Sequence, residues 1–388
     1  MPAASVPLKA ARFSWKISEQ IPIVNFELYL GGPNQPRRYL RNVLARHVAA
    51  VPAGGEIDWV TYYFRDRQLA QALLDAHHRG VRVRLTLEGA PRTRHANDRV
   101  LAMLRGPGGL GDSLRVLNHR PLPGLRWKPH LHEKLYCFSH PDPVALVGSF
   151  NPSGDEPEEE PAVIEEILDH DRGHNALVAI QDPKLVQGLI RHARRMHRGT
   201  HNGLERFRRE MNRPLVSGDT AIYFWPRIHG NPISRLLRGF GSNARVRVAS
   251  SHIKGPGVTR DFLGLNSRGA SVDILAENTH RRVPPKIAAR LGDAGIRLRR
   301  FEHPEALPMH NKFVLVEAGD QRWTVFGSCN WTSRSRWLNH EIGVISSDPA
   351  LFETFSQCWD TMTGEVIQHP ANPDSLHQAH PHDRDLAS

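Results

Sequence analysis

Hydrophobic and polar positions along this 388-residue chain form two sets of segments that follow one another in the same order. In the first half, residues 57–64 and 81–87 show the apolar runs and period-two alternation typical of β-strands. Residues 69–78 between them carry the spacing of a helix, and Gly80 stands where glycine commonly ends one. Strand, helix and strand in this order predict an α/β unit.

The second half repeats this pattern. Residues 245–250 predict a strand, a helix follows that ends at Gly269, and residues 271–275 predict the next strand. The offset in numbering from Gly80 to Gly269 is 189 (269 − 80). The openings of the two halves, an apolar strand followed by a turn and a helix, are also alike. The repetition predicts two similar α/β halves, produced by internal duplication and packed about a pseudo-twofold axis.

Two short polar motifs also occur twice. The first copy is His-x-Lys at residues 132–134, followed by an apolar strand that ends in Gly-Ser-x-Asn at residues 148–151. The second copy has His-x-Lys at residues 310–312 and Gly-Ser-x-Asn at residues 327–330. The offset between the two histidines is 178 (310 − 132), and that between the two asparagines is 179 (330 − 151). A single copy could be ordinary strand polarity and an ordinary turn, whereas two copies at matching intervals predict one site built from both halves.

The residue types fit the chemistry of a phosphate ester. Alternation along a strand places His132 and Lys134 on one face, and likewise His310 and Lys312. Lysine is a compact positive charge suited to a phosphate oxygen, and histidine can act as nucleophile or general acid near neutral pH. Two histidines that face each other across a phosphate can therefore carry out a two-step displacement without a metal. Neutral donors to the same anion would come from the second motif: Ser149, Asn151, Ser328 and Asn330.

At these residues the chain resembles the phospholipase D superfamily, whose HxKxxxxD and GSxN motifs usually occur twice. The resemblance implies two packed sheets with helices outside and an active site at the seam. It also implies a metal-independent phosphodiesterase that needs no cofactor, forms a phosphohistidine, and uses the motif histidines and lysines as catalytic residues. One feature departs from the family pattern, because its Asp falls on Ser139 in the first copy and on Glu317 in the second.

The family also has an acidic residue after each GSxN motif, which orients the histidine of the opposite half. In the second half this position is Glu341, so the resemblance implies that Glu341 orients His132 and stabilises the charge that develops on it. In the first half the position is Asn175, which carries no charge and would leave His310 better suited to donating a proton. Two acids are alternatives for that role: Asp169 and Asp171. We therefore expect His132 to be the nucleophile.

Composition narrows the class of protein. A net charge of +11 and a pI near 10.0 favour polyanionic partners, either nucleic acid or an anionic lipid surface, although arginine-rich composition also follows genomic base content. No apolar run approaches the roughly 18 residues of a membrane span, and the N-terminus lacks the apolar segment of a secretory signal. Three cysteines without zinc-ligand spacing are too few for a disulfide framework. We expect a cytoplasmic monomer that could contact an anionic membrane peripherally.

The pattern divides the chain into four segments. We expect an N-terminal half at residues 1–188, a basic helix or linker at 189–213, a C-terminal half at 214–368, and a tail without fixed structure at 369–388. The eight arginines of the basic segment favour a solvated face, with a phosphate-tracking surface as the alternative. The extra residues of the first half are expected within 118–128, which is rich in proline and glycine.

Three functions are compatible with the sequence. The preferred one is a phospholipase D-type phosphodiesterase that hydrolyses or transfers a phosphatidyl or related group of a phospholipid or other phosphodiester. The second is a metal-independent nuclease of the same superfamily, which the charge favours but no aromatic platform supports. The third is a non-catalytic phosphate-binding scaffold, motivated by Ser139 and Glu317 and opposed by the retention of every motif histidine, lysine and asparagine. A cardiolipin synthase-like transferase is disfavoured by the missing anchor, although basic residues could supply peripheral binding.

Overall fold

The structure, a computed structural model, describes residues 26–93, 95–120, 128–153, 172–199, 201, 204–228, 230–305 and 307–368. The predicted tail and the two alternative acids, Asp169 and Asp171, lie outside these residues. The described chain forms two large β-sheets with helices packed on them, which confirms the predicted α/β fold. None of its described helices has the length and apolar content needed to cross a membrane.

The first sheet is formed by seven strands. In chain order they are β1 (Phe26–Gly31), β2 (Glu56–Thr61), β3 (Arg82–Glu88), β4 (Leu114–Leu117), β5 (Leu135–Phe138), β6 (Val144–Gly148) and β7 (Asn175–Ile180). The helices of this half are α1 (Tyr39–Ala50), α2 (Arg67–His78), α3 (Asp98–Arg105) and α4 (Pro183–Arg198), with a short 3-10 helix at Gly111–Ser113. Across the sheet the order is β1-β7-β6-β5-β2-β3-β4, where β2, β3 and β4 are parallel and the other pairs antiparallel.

The second half contributes an eight-stranded sheet and a small two-stranded one. Its strands are β8 (Leu215–Ser217), β9 (Thr220–Trp225), β10 (Ala244–Ser250), β11 (Ile253–Lys254), β12 (Ser271–Glu277), β13 (Arg297–Phe301), β14 (Lys312–Ala318), β15 (Gln321–Gly327), β16 (Trp331–Thr332) and β17 (Glu341–Ser346). Its helices are α5 (Pro232–Arg238), α6 (Pro256–Ser267), α7 (Pro285–Asp293), α8 (Ser333–Trp337) and α9 (Pro349–Gln368), and a 3-10 helix covers Glu205–Phe207.

The large sheets are equivalent strand for strand. The second has the order β8-β9-β17-β15-β14-β10-β12-β13, so β9, β17, β15, β14, β10, β12 and β13 repeat the first sheet in the same sequence. The strand directions also agree, since β10, β12 and β13 are parallel and their neighbours antiparallel. The edge strand β8 has no counterpart in the described first half. This repetition is the internal duplication that the sequence predicted.

The extra residues of the first half are divided between two places. Register pairs Glu88 with Leu117 in one sheet and Glu277 with Phe301 in the other. The offset between the partners is 29 in the first half (117 − 88) and 24 in the second (301 − 277), an excess of five between β3 and β4. The offset from Leu117 to His132 is 15 (132 − 117), and the equivalent offset from Phe301 to His310 is 9 (310 − 301). The first half therefore has six more residues between β4 and its motif histidine. The predicted location, residues 118–128, therefore accommodates only part of the insertion.

A single hydrophobic core joins the inner faces of the two sheets. Helices α4 and α9, which follow the equivalent strands β7 and β17, add their apolar faces to it. The ring of Phe355 in α9 lies 5.0 Å from that of Phe313 and 5.4 Å from that of Phe326, measured between centroids. Each half also has a second core beneath its other helices. The seam between the halves is thus a continuous apolar interior and not a hinge between separate domains.

The predicted basic segment, 189–213, starts inside helix α4. Asp182 caps this helix by accepting a hydrogen bond from a backbone N–H of the first turn, and Pro183 occupies the first position, where proline is favoured. Two polar residues of the segment, His192 and Arg206, are almost fully buried. The segment therefore contributes buried side chains to the fold in addition to its solvent-exposed ones.

Replacing Phe355 with alanine should lower the free energy of unfolding by about 3–5 kcal/mol, because it removes a buried ring from the core that joins the sheets. Denaturant unfolding followed by fluorescence measures this change. The matched control is Gln357→Ala on the exposed side of the same helix, which should change stability by less than about 0.5 kcal/mol. Equal effects of the two substitutions would contradict the assignment of a shared core.

Candidate active site

Both His-x-Lys motifs lie at the seam, just before the inner strands of the two sheets. His132 lies three residues before β5 and His310 two residues before β14, so the histidines stand outside the strands that the pattern predicted. Backbone hydrogen bonds cross the seam at both positions: His132 N donates to His340 O at 2.8 Å, and His310 N donates to His174 O at 2.8 Å. Each motif therefore rests on a segment of the opposite half.

The residues that follow those segments contact the histidine rings. His132 Nδ1 lies 2.9 Å from Glu341 Oε2, and His310 Nδ1 lies 2.9 Å from Asn175 Oδ1. Because carboxylate and amide oxygens accept hydrogen bonds, each contact fixes the tautomer with its proton on Nδ1 and the lone pair on Nε2. The two half-sites thus share one geometry but differ in charge, with an acid behind His132 and a neutral amide behind His310.

The motif serines lie behind these partners. Ser328 Oγ donates to Glu341 Oε2 at 2.5 Å and accepts the backbone N–H of Ile342 in β17 at 3.0 Å. Ser149 Oγ donates to Asn175 Oδ1 at 3.2 Å and likewise accepts a backbone N–H at 3.0 Å. Both hydroxyls are buried and engaged, so the serines position the residues that contact the histidines. This arrangement differs from the expectation that the serines bind phosphate.

Both imidazoles line one cavity of about 580 Å³, together with Asn151 and Asn330 of the second motif. Its lining also contains residues that the motifs did not identify: Tyr62, Tyr63, Arg92, His130, His252, Lys254, Arg282 and Arg334. Among the residues that the structure describes, no aspartate or glutamate lines this cavity. One lining cation is paired, since Arg282 Nη1 lies 3.3 Å from Glu277 Oε2. The lining still holds more cationic than anionic side chains, which favours a negatively charged ligand.

The motif lysines are buried beside the histidines. Lys134 Nζ donates to His132 O at 2.8 Å, and Lys312 Nζ donates to His310 O at 2.7 Å. Burial lowers the pKa of Lys134 to about 7, and burial together with repulsion from Lys134 holds the pKa of Lys312 well below its ordinary value. Burial also lowers the pKa of His132 to about 4, although Glu341 opposes this. A bound phosphate would favour the charged form of each of these groups.

Two buried glutamates outside the motifs hold the backbone beside the histidines. Glu88 Oε2 accepts the N–H of Leu131 at 2.7 Å, and Glu277 Oε2 accepts the N–H of Met309 at 2.8 Å. They are the last residues of the equivalent strands β3 and β12, and the offset between them is 189 (277 − 88). The sequence contains a signal for them: each of two matched strands ends in an acid, and the offset of 189 between these acids equals the offset between Gly80 and Gly269.

The position of the Asp in HxKxxxxD lies at the far end of the motif strand. Ser139 follows Lys134 by five residues (139 − 134), which is about 17 Å of extended chain. Its Oγ accepts the backbone N–H of Glu56 at 2.7 Å, so it links the end of β5 to the start of β2. Glu317, at the equivalent position, lies 3.9 Å from Arg322 on the neighbouring strand. Both departures from the motif therefore change the strand ends and leave the cavity lining unaltered.

Comparisons with known proteins give a family match over more than half of the chain. Residues 52–197 and 240–363 match a family model described as "Cardiolipin synthase, PLD-like domain". A mitochondrial cardiolipin hydrolase from Chlamydomonas reinhardtii is 29% identical over 131 residues, 34% of this chain and 56% of that protein. The matched region thus spans about half the length of this curated relative.

Solved structures show the same fold. The phosphatidylserine synthase of Haemophilus influenzae Rd KW20 superposes with a TM-score of 0.62 and 12% identity, covering 89% of this chain and 86% of that one. The polyphosphate kinase of Porphyromonas gingivalis gives a TM-score of 0.56 and 15% identity, covering 87% of this chain and 50% of that one. At these identities the likeness concerns the fold alone.

Removing either glutamate side chain that accepts a backbone N–H beside a motif histidine should impair turnover. We expect Glu88→Ala or Glu277→Ala to lower kcat on bis-p-nitrophenyl phosphate roughly tenfold or more, because a small displacement of a catalytic group is costly. Glu88→Gln and Glu277→Gln keep an acceptor oxygen and should retain most of the activity. If the glutamine variants were as impaired as the alanine variants, the carboxylates would have a role other than holding the backbone.

Anion binding should draw a proton into the site. A lysine with a pKa of about 7 is mostly neutral at pH 8, and a phosphate beside it raises that pKa, so the protein should take up protons when inorganic phosphate binds. Calorimetric titration in two buffers of different ionisation enthalpy measures this uptake. Lys134→Met should reduce it, whereas Lys286→Met, at an exposed position on α7, should not. Undiminished uptake in Lys134→Met would contradict the assignment.

Proposed function

We propose that this chain, which belongs to the cardiolipin synthase-like phospholipase D family, hydrolyses a phosphodiester of a phospholipid, or transfers its phosphatidyl group, through a phosphohistidine. One observation carries the proposal: the motif histidines of the two halves line the same positively charged cavity. The name of the curated relative, mitochondrial cardiolipin hydrolase, supports a phospholipid as substrate.

In the first step the lone pair on His132 Nε2 attacks phosphorus. A P–N bond forms, the P–O bond to the leaving alcohol breaks, and protonated His310 gives its proton to the departing oxygen. Burial keeps His132 neutral at pH 7 and therefore nucleophilic, while Glu341 stabilises the positive charge that develops on its ring. The neutral amide of Asn175 gives His310 no such stabilisation, which favours its role as the acid.

In the second step His310 takes a proton from water or from an acceptor alcohol. The oxygen attacks phosphorus, the P–N bond breaks, and His132 is restored with its lone pair. Throughout, the non-bridging phosphate oxygens would be bound by the buried lysines and by the amides that line the cavity. These residues are Lys134, Lys312, Asn151 and Asn330. The reaction needs no metal, since the charges of the chain itself neutralise the phosphate.

A nuclease of the same family is the second candidate. Two tyrosine rings, Tyr62 and Tyr63, line the cavity beside the cationic groups, and the Tyr62 ring lies 5.0 Å from that of His132. Aromatic rings next to a positive groove can stack on unpaired bases. Both tyrosines are nearly buried, however, and their hydroxyls form internal hydrogen bonds, which leaves little ring surface for a base.

Hydrolysis should persist in EDTA, and His132→Ala or His310→Ala should lower its rate at least ~10²–10⁴-fold, since each removes a nucleophile or a general acid. Phosphatidylglycerol, phosphatidylcholine, bis-p-nitrophenyl phosphate and single-stranded DNA form the substrate panel. His95→Ala, at an exposed histidine outside the cavity, is the control and should keep full activity.

Rapid quenching with substrate labelled on phosphorus should place the label on the peptide that contains His132. The phosphorylated form should accumulate in His310→Ala if the second step is slowed more than the first. Label recovered on the peptide of His310 would reverse the assignment of the two roles. Activity that returns only with an added divalent metal would contradict the mechanism as a whole.

A further inference from the structure

Helix α4 carries a row of arginines that the proposed reaction does not use. Arg191, Arg195 and Arg198 are spaced by four (195 − 191) and three (198 − 195) residues, so they lie on one face of the helix. They line a surface pocket of about 510 Å³, whose other lining residues are Arg194, Gly199 and Met211. Among the described residues, none lines both this pocket and the cavity that holds the motif histidines.

The charge of Arg194 is already balanced. Its Nη2 pairs with Glu56, and its Nε lies 3.2 Å from Asp58 Oδ2. The other three arginine side chains of the pocket form no ion pair within the part of the chain that the structure describes. A further cation lies at the edge of the pocket, since Arg115 Nη2 donates to the carbonyl oxygen of Gly199 at 3.3 Å. The pocket therefore has a surplus of positive charge.

Arg195 is the central residue of the row and the least exposed of the three. Its Nε is buried and has no hydrogen-bond partner among the described residues. Burial lowers the pKa of Arg195, and the charge of Arg191 lowers it further, while Glu133 opposes both effects. An anion beside the row would relieve the repulsion between the arginines.

The length and surroundings of the row favour a short ligand with several linked phosphates. The helix rises about 10 Å between Arg191 and Arg198, so a single phosphate cannot contact the whole row. Beyond Arg194, the neighbouring cations Arg82 and Arg84 are already paired with acids, which leaves a long polyanion no surplus charge to follow there. The described lining also has no aromatic ring on which a base could stack.

The opposite face of α4 supports the first His-x-Lys motif. His192 is buried, and its Nε2 lies 2.9 Å from Oε2 of Glu133, the residue between His132 and Lys134. The apolar side of α4 also belongs to the core that joins the two sheets. A ligand that binds the folded helix on its outer face would therefore stabilise an element on which the active site rests.

We propose that Arg191, Arg195 and Arg198 form a binding site for a small oligophosphate, separate from the active site. A ligand there neutralises the repulsion along α4 and stabilises the half of the chain that contains the first motif. The inference does not depend on the proposed function, because no group of the proposed reaction takes part in it.

Calorimetric titration with inorganic tripolyphosphate at about 0.15 M salt tests the site. The double variant Arg191→Gln, Arg198→Gln should bind one equivalent fewer than the wild type, because it removes two of the three charges. Arg191→Lys with Arg198→Lys should keep part of this binding, because it retains the charge. The matched control, Arg105→Gln with Arg290→Gln at exposed positions on α3 and α7, removes the same charge outside the pocket and should bind like the wild type.

Hydrolysis of bis-p-nitrophenyl phosphate separates this site from the active site. The double variant should hydrolyse it at the rate of the wild type and with unchanged inhibition by inorganic phosphate. A weaker inhibition would assign the lost equivalent to the active site and so refute the proposal. If the chain hydrolyses no phosphodiester, the proposed function fails, while the stoichiometry of tripolyphosphate binding still decides whether the site on α4 exists.

Equal stoichiometry and affinity in the double variant and the wild type would overturn the site. Single-stranded DNA and phosphatidylglycerol vesicles are the competing ligands. If either bound more tightly than tripolyphosphate and lost that binding in the double variant, the row would be part of a nucleic-acid or membrane surface, and the oligophosphate site would be wrong.

Discussion

The backbone hydrogen bonds that cross the seam at the two motifs are the contacts on which the site depends. They attach the backbone of each motif histidine, His132 and His310, to the strand segment that leads into that histidine's own ring partner in the opposite half. Neither half therefore contains a complete half-site, because the ring of His132 needs Glu341 and that of His310 needs Asn175. The core that both sheets share holds the two halves together, and it thereby keeps these contacts in place.

That shared interior also supports an unfavourable charge distribution. Burial disfavours the charged forms of Lys134, Lys312 and His132, and the two lysines repel each other. Burial also disfavours the charged form of Glu341 and so raises its pKa, but His132 and Lys134 bring that pKa below its ordinary value. The apolar core must offset the cost of holding these groups together. A bound anion would relieve this cost, so the same feature that reduces stability favours anion binding.

Much of this fold follows from features that the sequence displays locally. The alternation of strands and helices, the matched glycines and the repeated motifs were enough to predict two equivalent halves with one site between them. The environment of single side chains was less accessible. Ser149 and Ser328 belong to the motif, yet their hydroxyls bond to Asn175 and Glu341, a fact decided by contacts between distant parts of the chain.

Other residues of the site have no motif at all. Glu88 and Glu277 act through the backbone of a segment far along the chain, and nothing in their immediate surroundings distinguishes them from any acid at a strand end. Arg92 and Arg334 belong to different halves, and only the packing of the two sheets brings them into the lining of one cavity. Sequence spacing reveals a duplication well, whereas it contains little information on contacts between the duplicated parts.

The difference between Glu341 and Asn175 shows what covalent linkage of the halves makes available. In a symmetric dimer of identical chains, any substitution appears at both equivalent positions, so the two half-sites must remain identical. Within one chain each copy can change alone, and here one position is an acid and its counterpart an amide. The loops after β2 and β10 diverge in the same way, with Tyr62 and Tyr63 in one and Ser251 and His252 in the other. A single polypeptide can thereby hold an asymmetric substrate in one orientation, which a twofold-symmetric assembly would bind equally in two.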